Sequence, residues 1–162
     1  ERRLRLLHCG EIITMTGETK DGPFERYHEN GQLWWKGTYK DGVEEGLTET
    51  YHENGQLKSK GTLRDGKREG AIEYYHDNGQ LQVKGTYKDG VYEGPYETYY
   101  DNGQLEVKGT LKDGEWDGLY ESYNRDGQLL KKGVYIDGEE CGKWIKYGCS
   151  FTYQPSLKIV WN

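Results

Sequence analysis

Five glutamates recur at a constant interval of 24 residues, and carboxylates used in pairs carry out the acid and base steps of glycoside hydrolysis. They are Glu25, Glu49, Glu73, Glu97 and Glu121. A hydrolytic pair needs two carboxyl groups in different environments, whereas the members of a repeated column have nearly the same surroundings. We therefore expect each glutamate to accept a hydrogen bond from a neighbouring tyrosine hydroxyl or backbone N–H. The alternative is that the column forms an acidic comb that binds a basic partner.

Three histidines recur at the same interval, and histidine is a common ligand of transition metals. They are His28, His52 and His76, and Tyr100 and Asn124 continue the column. Ligands lie about 2.1 Å from a shared ion, whereas equivalent residues of a two-strand repeat stand roughly 10 Å apart. We therefore expect polar residues that flank turns, and neither a metal site nor a cofactor.

The remaining nucleophiles and glycines form no known catalytic pattern. Cys9, Cys141 and Cys149 are three in number and lack metal-like spacing, which favours reduced thiols. A bridge between Cys141 and Cys149 is the alternative. The glycines form no Walker or dinucleotide loop, and no serine lies in a nucleophile-elbow pattern. The sequence therefore predicts a protein that is not an enzyme.

The elements that position these columns come from an internal repeat. Asn-Gly-Gln-Leu begins at Asn30, Asn54, Asn78 and Asn102, and Asp126 begins a variant of it. Lys-Gly recurs with the same step at Lys36, Lys60, Lys84, Lys108 and Lys132. Asp-Gly recurs at Asp41, Asp65, Asp89, Asp113 and Asp137. Residues 17–147 therefore form one repeat array, which we expect to be capped by residues 1–16 and 148–162.

Each repeat contains two turn signals separated by short alternating segments, which is typical of β-hairpins. The sequence predicts an all-β fold, an elongated, single-layer, antiparallel array in which each hairpin contacts only its neighbours. Pairing the strands across the Asn-Gly turn places Tyr51 opposite Leu57 and Glu49 opposite Ser59. In this register leucine, tyrosine and glutamate share one face, and the lysines of Lys-Gly lie on the other face.

Aromatic residues outside the regular leucine and tyrosine columns vary against the fixed scaffold. Variation of this kind is where a repeat protein can encode specificity, and tryptophan and tyrosine are favoured in binding hot spots. Stabilisation of the sheet by cross-strand aromatic pairs is the equally open alternative. The predicted partner-binding aromatic residues are Trp34, Trp35, Tyr74, Tyr92, Tyr96, Tyr100, Trp116 and Tyr120.

The charge balance restricts the class of partner. Lys and Arg total 22 against 28 Asp and Glu, so the net charge is -6. This charge disfavours sequence-independent binding to nucleic acid or to an anionic membrane, and it favours a basic partner. The sequence has no apolar run long enough for a membrane-spanning helix. We expect a cytoplasmic protein, and a secreted one whose signal peptide precedes Glu1 is the alternative.

The repeat unit, in which Tyr-His-Glu-Asn-Gly-Gln-Leu is followed by Lys-Gly-Thr-Tyr-Lys-Asp-Gly and Glu-Gly, resembles the bacterial variant of the MORN repeat. The whole array is similar to the YwqK-type antitoxin family. The resemblance implies a hairpin array that works by binding, as the neutralising partner of a toxin. It favours an antitoxin or immunity protein that occludes a basic toxin or effector. The alternatives are a surface-exposed adhesion module and, less favoured, a hydrolase acting on a linear polymer.

Overall fold

The computed structural model describes residues 21–147 and 149–153, and in these residues the chain forms fourteen strands and no helix. The predicted N-terminal cap, residues 1–16, lies outside the described residues, as do 148 and 154–162 of the C-terminal cap. The strands are β1 (Gly22–Tyr27), β2 (Leu33–Lys40), β3 (Val43–Glu44), β4 (Gly46–Tyr51), β5 (Leu57–Arg64), β6 (Lys67–Tyr75), β7 (Leu81–Lys88), β8 (Val91–Tyr92), β9 (Gly94–Tyr99), β10 (Leu105–Lys112), β11 (Glu115–Tyr123), β12 (Leu129–Ile136), β13 (Glu139–Lys146) and β14 (Cys149–Tyr153).

The strands form one open antiparallel sheet whose order follows the chain from β1 to β14. The short strands β3 and β8 pair with β2 and β7, beside β4 and β9. The extensive strand-to-strand contacts all join neighbours in this order, which confirms the predicted hairpin array. Among the described residues, the buried side chains are Ser59, Ile72, Leu111 and Trp144. Most other side chains on the sheet are half-buried or exposed.

The Asp-Gly turns have the backbone geometry that favours a two-residue hairpin. Asp41 has a φ of 51° and Gly42 a φ of 77°, and the later Asp-Gly pairs repeat this combination. Positive φ at both central residues defines the type I′ turn, whose twist matches that of the flanking strands. Aspartate tolerates this region better than most side chains, and glycine enters it at little cost.

A second acidic-Gly pair follows Asp-Gly in each repeat, and in three repeats its glutamate bonds to the next turn. At Glu45-Gly46 the strand is interrupted between β3 and β4, and Gly46 has a φ of 84°. The Glu45 carboxylate accepts a 2.8 Å hydrogen bond from the backbone N–H of Asp65, in the following Asp-Gly turn. Glu69 and Glu93 accept equivalent bonds from the next turns. The repeat spacing along this side of the sheet is therefore fixed by side chains as well as by the strands.

The register beside the Asn-Gly turn differs from the predicted one. Tyr51 lies opposite Leu57 as predicted, but Thr50 lies opposite Ser59 and Glu49 opposite Lys60. The predicted pairing of Glu49 with Ser59 is wrong because Lys58 is an extra residue in β5, and a bulge exchanges the two faces beyond it. Equivalent extra residues are Trp34, Gln82, Glu106 and Leu130.

The bulges sort the repeated columns onto two faces. The lysines of Lys-Gly lie on the same side as the repeated glutamates, which we call the glutamate face, so their predicted placement on the opposite face is wrong. The opposite side is here called the aromatic face, and it carries Phe24, Ile72, Tyr96, Tyr120 and Trp144. It also carries every second residue of the strand that follows each of these, starting from Trp35, Ser59, Val83, Val107 or Lys131.

The cysteines described by the structure are free. Cys141 lies in β13 and is half-buried, whereas Cys149 begins β14 and is exposed. In the register of this hairpin Lys146 faces Cys149, whereas Gly142, next to Cys141, faces Tyr153. The two thiols therefore lie towards opposite ends of the hairpin, and the structure contains no bridge between them.

Candidate protein-binding surface

A continuous chain of aromatic rings crosses the aromatic face from β7 to β13. We call it the aromatic strip, and its members are Tyr87, Tyr92, Tyr96, Trp116, Tyr120, Tyr135 and Trp144. Tyr87 stacks on Tyr92 with ring centroids 4.0 Å apart. The edge-to-face contacts that follow span 4.9 to 5.7 Å, which is the favourable range for aromatic pairs. Except for the buried Trp144, these rings are half-buried and thus keep part of their surface in solvent.

The glycine of each Lys-Gly pair allows an aromatic or aliphatic side chain to lie flat on the sheet. A Cβ placed on Gly133 would stand 2.2 Å from the Trp144 ring, and one on Gly109 would stand 2.7 Å from Trp116. Real Cβ atoms do not approach so closely, so these positions exclude every residue with a side chain unless the ring shifts. The Lys-Gly glycines therefore leave the space in which these side chains lie against the sheet.

The chain places its own cations over the two ends of the strip. The Arg68 guanidinium lies 5.7 Å from the ring centroid of Tyr87, and the Lys131 ammonium lies 4.6 Å from that of Trp144. Lys131 also forms a 2.5 Å ion pair with Glu140, which pairs with Lys146 at 2.8 Å. Contacts within about 6 Å of a ring centroid are favourable cation–π interactions.

Burial raises the pKa of two strip tyrosines, Tyr92 and Tyr96. Desolvation is the main cause of the raised pKa of Tyr96, and the nearby carboxylate of Glu106 adds to it. Desolvation also raises the pKa of Tyr92, with Tyr87 as the next contributor. Both of these phenols are neutral at neutral pH and can donate hydrogen bonds.

A second, smaller ring cluster lies at the N-terminal end of the aromatic face. Phe24 contacts Trp35 edge-to-face at 5.0 Å and Tyr39 at 4.7 Å. The Arg26 guanidinium lies 4.7 Å from the Trp35 ring centroid, and the Trp35 indole N–H donates a 2.9 Å hydrogen bond to Thr48. Trp35 is therefore bonded within the sheet.

Two open depressions each have a tryptophan in their lining. One has a volume of about 320 Å³ and is lined by Gly114, Glu115, Trp116, Asp137, Gly138 and Glu139. The other has a volume of about 520 Å³ and is lined by Tyr27, His28, Glu29, Asn30, Trp34 and Glu53. They lie at opposite ends of the strands, because the first borders Asp-Gly turns and the second Asn-Gly turns. Both combine an indole ring with carboxylates.

The glutamate column is bonded within the sheet. Tyr51 donates a 2.7 Å hydrogen bond to Glu49, and the tyrosine two residues after each of the other four glutamates donates likewise, so the expectation of tyrosine hydrogen bonds is confirmed. The Lys36 ammonium lies 2.6 Å from Glu49 and, by hydrogen bonding, holds the pKa of that carboxyl below its usual range. Lysines on the same face thus offset the acidic column.

Glu121 is the most heavily bonded member of the column. Lys132 lies 2.7 Å and Lys108 2.9 Å from its two carboxylate oxygens. The hydrogen bond from Lys132, followed by those from Tyr123 and Lys108, lowers the pKa of Glu121 to about 2. The partner-binding role of the acidic column stays a prediction.

The histidine column makes hydrogen bonds between repeats. The Nε2 atom of His52 lies 2.9 Å from the carbonyl oxygen of Tyr75, and because a carbonyl only accepts, the ring nitrogen donates. His28 and His76 make the same bond. Tyr100 replaces histidine and donates a 2.9 Å hydrogen bond to the carbonyl of Tyr123. Among the described residues no group of three His, Cys, Asp or Glu side chains has the arrangement of a metal site.

The structure brings some predicted binding residues together and separates others. Tyr92, Tyr96, Trp116 and Tyr120 belong to the aromatic strip, and Tyr74 lies beside it, under Arg68. Trp35 belongs to the N-terminal cluster, Trp34 to the depression among Asn-Gly turns, and Tyr100 to the inter-repeat bonds.

Several aromatic-face residues were not among the predicted binding residues. They are Phe24, Tyr39, Tyr87, Tyr135 and Trp144 among the rings, and Arg26, Arg68 and Lys131 among the cations. The signal for Tyr39, Tyr87 and Tyr135 is their place two residues after the glycine of Lys-Gly, which puts them on the same face as that glycine.

A profile described as the MORN repeat variant matches residues 20–41, 44–65, 68–89, 92–113 and 116–137. This chain belongs to the MORN repeat variant family. The five matches cover most of the sheet and contain every ring of the two clusters except Trp144.

Comparisons with solved structures and curated proteins add little about function. The chain is similar to a chain in the crystal structure of accessory secretory protein 1, 2 and 3 in Streptococcus pneumoniae, with 19% sequence identity and a TM-score of 0.30. The match covers 81% of this chain and 22% of that one, so this chain spans about a fifth of that protein's length. No curated protein matches this sequence.

Proposed function

We propose that this MORN array is a protein-binding scaffold that acts as an antitoxin or immunity protein, binding and occluding a basic toxin or effector without catalysing a reaction. The observation that carries the binding role is the aromatic strip, because half-buried tyrosine and tryptophan rings are the preferred anchors of protein interfaces. The antitoxin role is supported by the resemblance of the repeat array to the YwqK-type family.

The physical basis of occlusion is a preformed surface. The long strands of the strip are paired on both sides and the short β8 pairs with β7, so binding orders little additional backbone. The acidic surplus of the whole chain speeds the encounter with a basic protein, whereas the rings, once in contact, slow dissociation. The proposal places the complex in the cytoplasm and involves neither nucleic acid nor a membrane. In the described residues no helix has the length and apolarity needed to cross a membrane.

The proposal is tested in two steps, and the first is affinity capture from the native host followed by mass spectrometry. We expect one basic protein to be recovered in stoichiometric amount. The second step expresses that protein alone and together with this chain. Toxicity that co-expression relieves supports the antitoxin role, and recovery of no stable protein partner contradicts it. A stable partner without toxicity would instead favour the adhesion or scaffold alternative.

A further inference from the structure

We propose that the depressions beside Trp34 and Trp116 receive basic side chains of the protein partner, arginine above all. This inference rests on the proposed function and specifies which chemical groups of the partner contact this chain. An indole face attracts cations through its quadrupole, and nearby carboxylates supply the opposite charge.

The Trp116 depression combines the ring with three acidic residues. Glu115 precedes Trp116 in β11, and its Oε2 atom lies 3.1 Å from the place where a Cβ on Gly138 would stand. Asp137 belongs to the adjoining type I′ turn, and Glu139 begins β13. No ion pair of residues 21–147 includes Glu115, Asp137 or Glu139. The depression therefore presents part of the indole ring beside carboxylates that lie outside the ion pairs of residues 21–147.

The scaffold does not require this combination. Two repeats earlier, Lys67 and Arg68 occupy the positions that Glu115 and Trp116 fill in the later repeat, and Val91 stands where Glu139 does. Because the same backbone geometry accommodates basic and aliphatic residues there, the grouping of acids around Trp116 is a property of this surface and not of the hairpin.

The Trp34 depression has the same chemistry at the opposite end of the strands. Trp34 is the extra residue of the first bulge, and 42% of its surface is exposed. The exposed Glu29 and Glu53 come from successive Asn-Gly turns. No ion pair of residues 21–147 includes either glutamate.

The other tryptophans of the described chain already hold cations. Arg26 lies 4.7 Å from the Trp35 ring centroid and Lys131 lies 4.6 Å from that of Trp144. Within residues 21–147 no such cation lies over Trp34 or Trp116. The two indoles without a cation of their own are thus the two that line acidic depressions, which is the arrangement that a cation supplied by a partner would complete.

The test uses a hexa-arginine peptide as the probe and the indole N–H resonances of the full chain as the readout. We expect saturable shifts of the Trp34 and Trp116 resonances, whereas those of Trp35, whose N–H is bonded to Thr48, and of the buried Trp144 stay in place. A hexa-glutamate peptide should shift none of them. Shifts of equal size at Trp34, Trp116, Trp35 and Trp144 would overturn the proposal.

A matched pair of variants separates local recognition from net charge. E115Q/D137N/E139Q should weaken hexa-arginine binding at Trp116 by about tenfold and leave the Trp34 response unchanged. D41N/D65N/D89N removes the same three charges from turns away from both depressions and should retain the Trp116 response. Asparagine keeps the positive φ of these turn positions. An equal loss in both variants contradicts local recognition.

The captured partner then distinguishes this inference from the proposed function. A partner that binds E115Q/D137N/E139Q, Trp116→Leu and Trp34→Leu as tightly as the unaltered chain overturns the basic-side-chain sites and leaves the antitoxin role intact. If the chain captures no partner but retains the specific hexa-arginine response, the proposed function is contradicted and the basic-side-chain sites are supported. Unchanged spectral dispersion of each variant shows that it is folded.

Discussion

The hydroxyl of Tyr100 donates a 2.9 Å hydrogen bond to the carbonyl oxygen of Tyr123, which lies 23 residues later in the chain. In the three preceding repeats a histidine Nε2 makes the corresponding bond, at 2.8 to 3.0 Å. Histidine and tyrosine therefore both donate a hydrogen bond to the backbone carbonyl at the end of the neighbouring strand. This column holds adjacent repeats together independently of the sheet hydrogen bonds.

Removing one of these bonds should destabilise the array, whereas exchanging it for the tyrosine version should not. His52→Ala leaves the Tyr75 carbonyl without its side-chain donor and should lower the free energy of unfolding by about 1 kcal/mol. His52→Tyr should retain most of that stability, because Tyr100 makes the same contact. Urea denaturation followed by tryptophan fluorescence measures both. Equal losses in the two variants would show that the imidazole has another role.

A methyl group added beneath Trp116 should disturb the packing of this ring against the sheet. In Gly109→Ala the new Cβ would lie 2.7 Å from the Trp116 ring and 3.1 Å from the carbonyl oxygen of Leu119, so either the ring or the backbone must move. We expect a loss of about 1–3 kcal/mol in thermal unfolding and a changed near-ultraviolet circular dichroism spectrum.

The control for Gly109→Ala is its neighbour. Thr110 is exposed on the other face of β10, and Thr110→Ala should change stability by less than about 0.5 kcal/mol. If both substitutions have the same small effect, the glycine is not needed for the rings to lie flat.

The Glu121 cluster should make stability depend on pH in the acid range. Hydrogen bonds from Lys132, Tyr123 and Lys108 hold the pKa of Glu121 at about 2, below its ordinary value of 4.5. The unfolded chain therefore binds this proton more readily than the folded chain. The resulting stabilisation is fully present above pH about 4.5 and is lost as the pH falls towards 2.

Glu121→Gln should accordingly lower the free energy of unfolding at neutral pH and flatten its slope between about pH 5 and pH 2. The matched substitution is Glu53→Gln, in an exposed side chain outside the ion pairs of residues 21–147, and we expect it to keep the slope of the unaltered protein. Chemical denaturation at a series of pH values gives the comparison. Identical slopes for all three proteins would rule out a protective role of the cluster.

Binding of the proposed protein partner should depend on Trp34, Tyr96 and Trp116. Trp34→Ala, Tyr96→Ala and Trp116→Ala are each expected to weaken the complex by at least about 1 kcal/mol if these rings are anchors. Leu119→Ala alters a side chain that is 68% exposed on the opposite face of β11 and should leave the affinity unchanged. Calorimetric titration measures all four variants, and unchanged affinity in the three ring variants would reject this binding surface.

Much of the architecture could be predicted from local residue types. Asn-Gly and Asp-Gly recur every 24 residues and specify tight turns at fixed points in the chain. The segments between these turns therefore pair as successive hairpins. The hydrogen bond from Tyr51 to Glu49 is also local, because residues two apart on a strand point to the same side. Such features follow from the sequence because their partners lie within one or two hairpins.

The tertiary structure alone decided which columns face each other. One extra residue, such as Lys58, reverses which side chains point to each face beyond the bulge. The repeat period of the sequence does not indicate where this reversal occurs. The lysines of Lys-Gly therefore lie on the same face as the glutamates, and Tyr87 and Tyr135 lie in the aromatic strip with Trp116. Ring contacts between repeats, such as Tyr96 with Trp116, depend on this register and on room above the glycines, both of which arise only when the strands are paired.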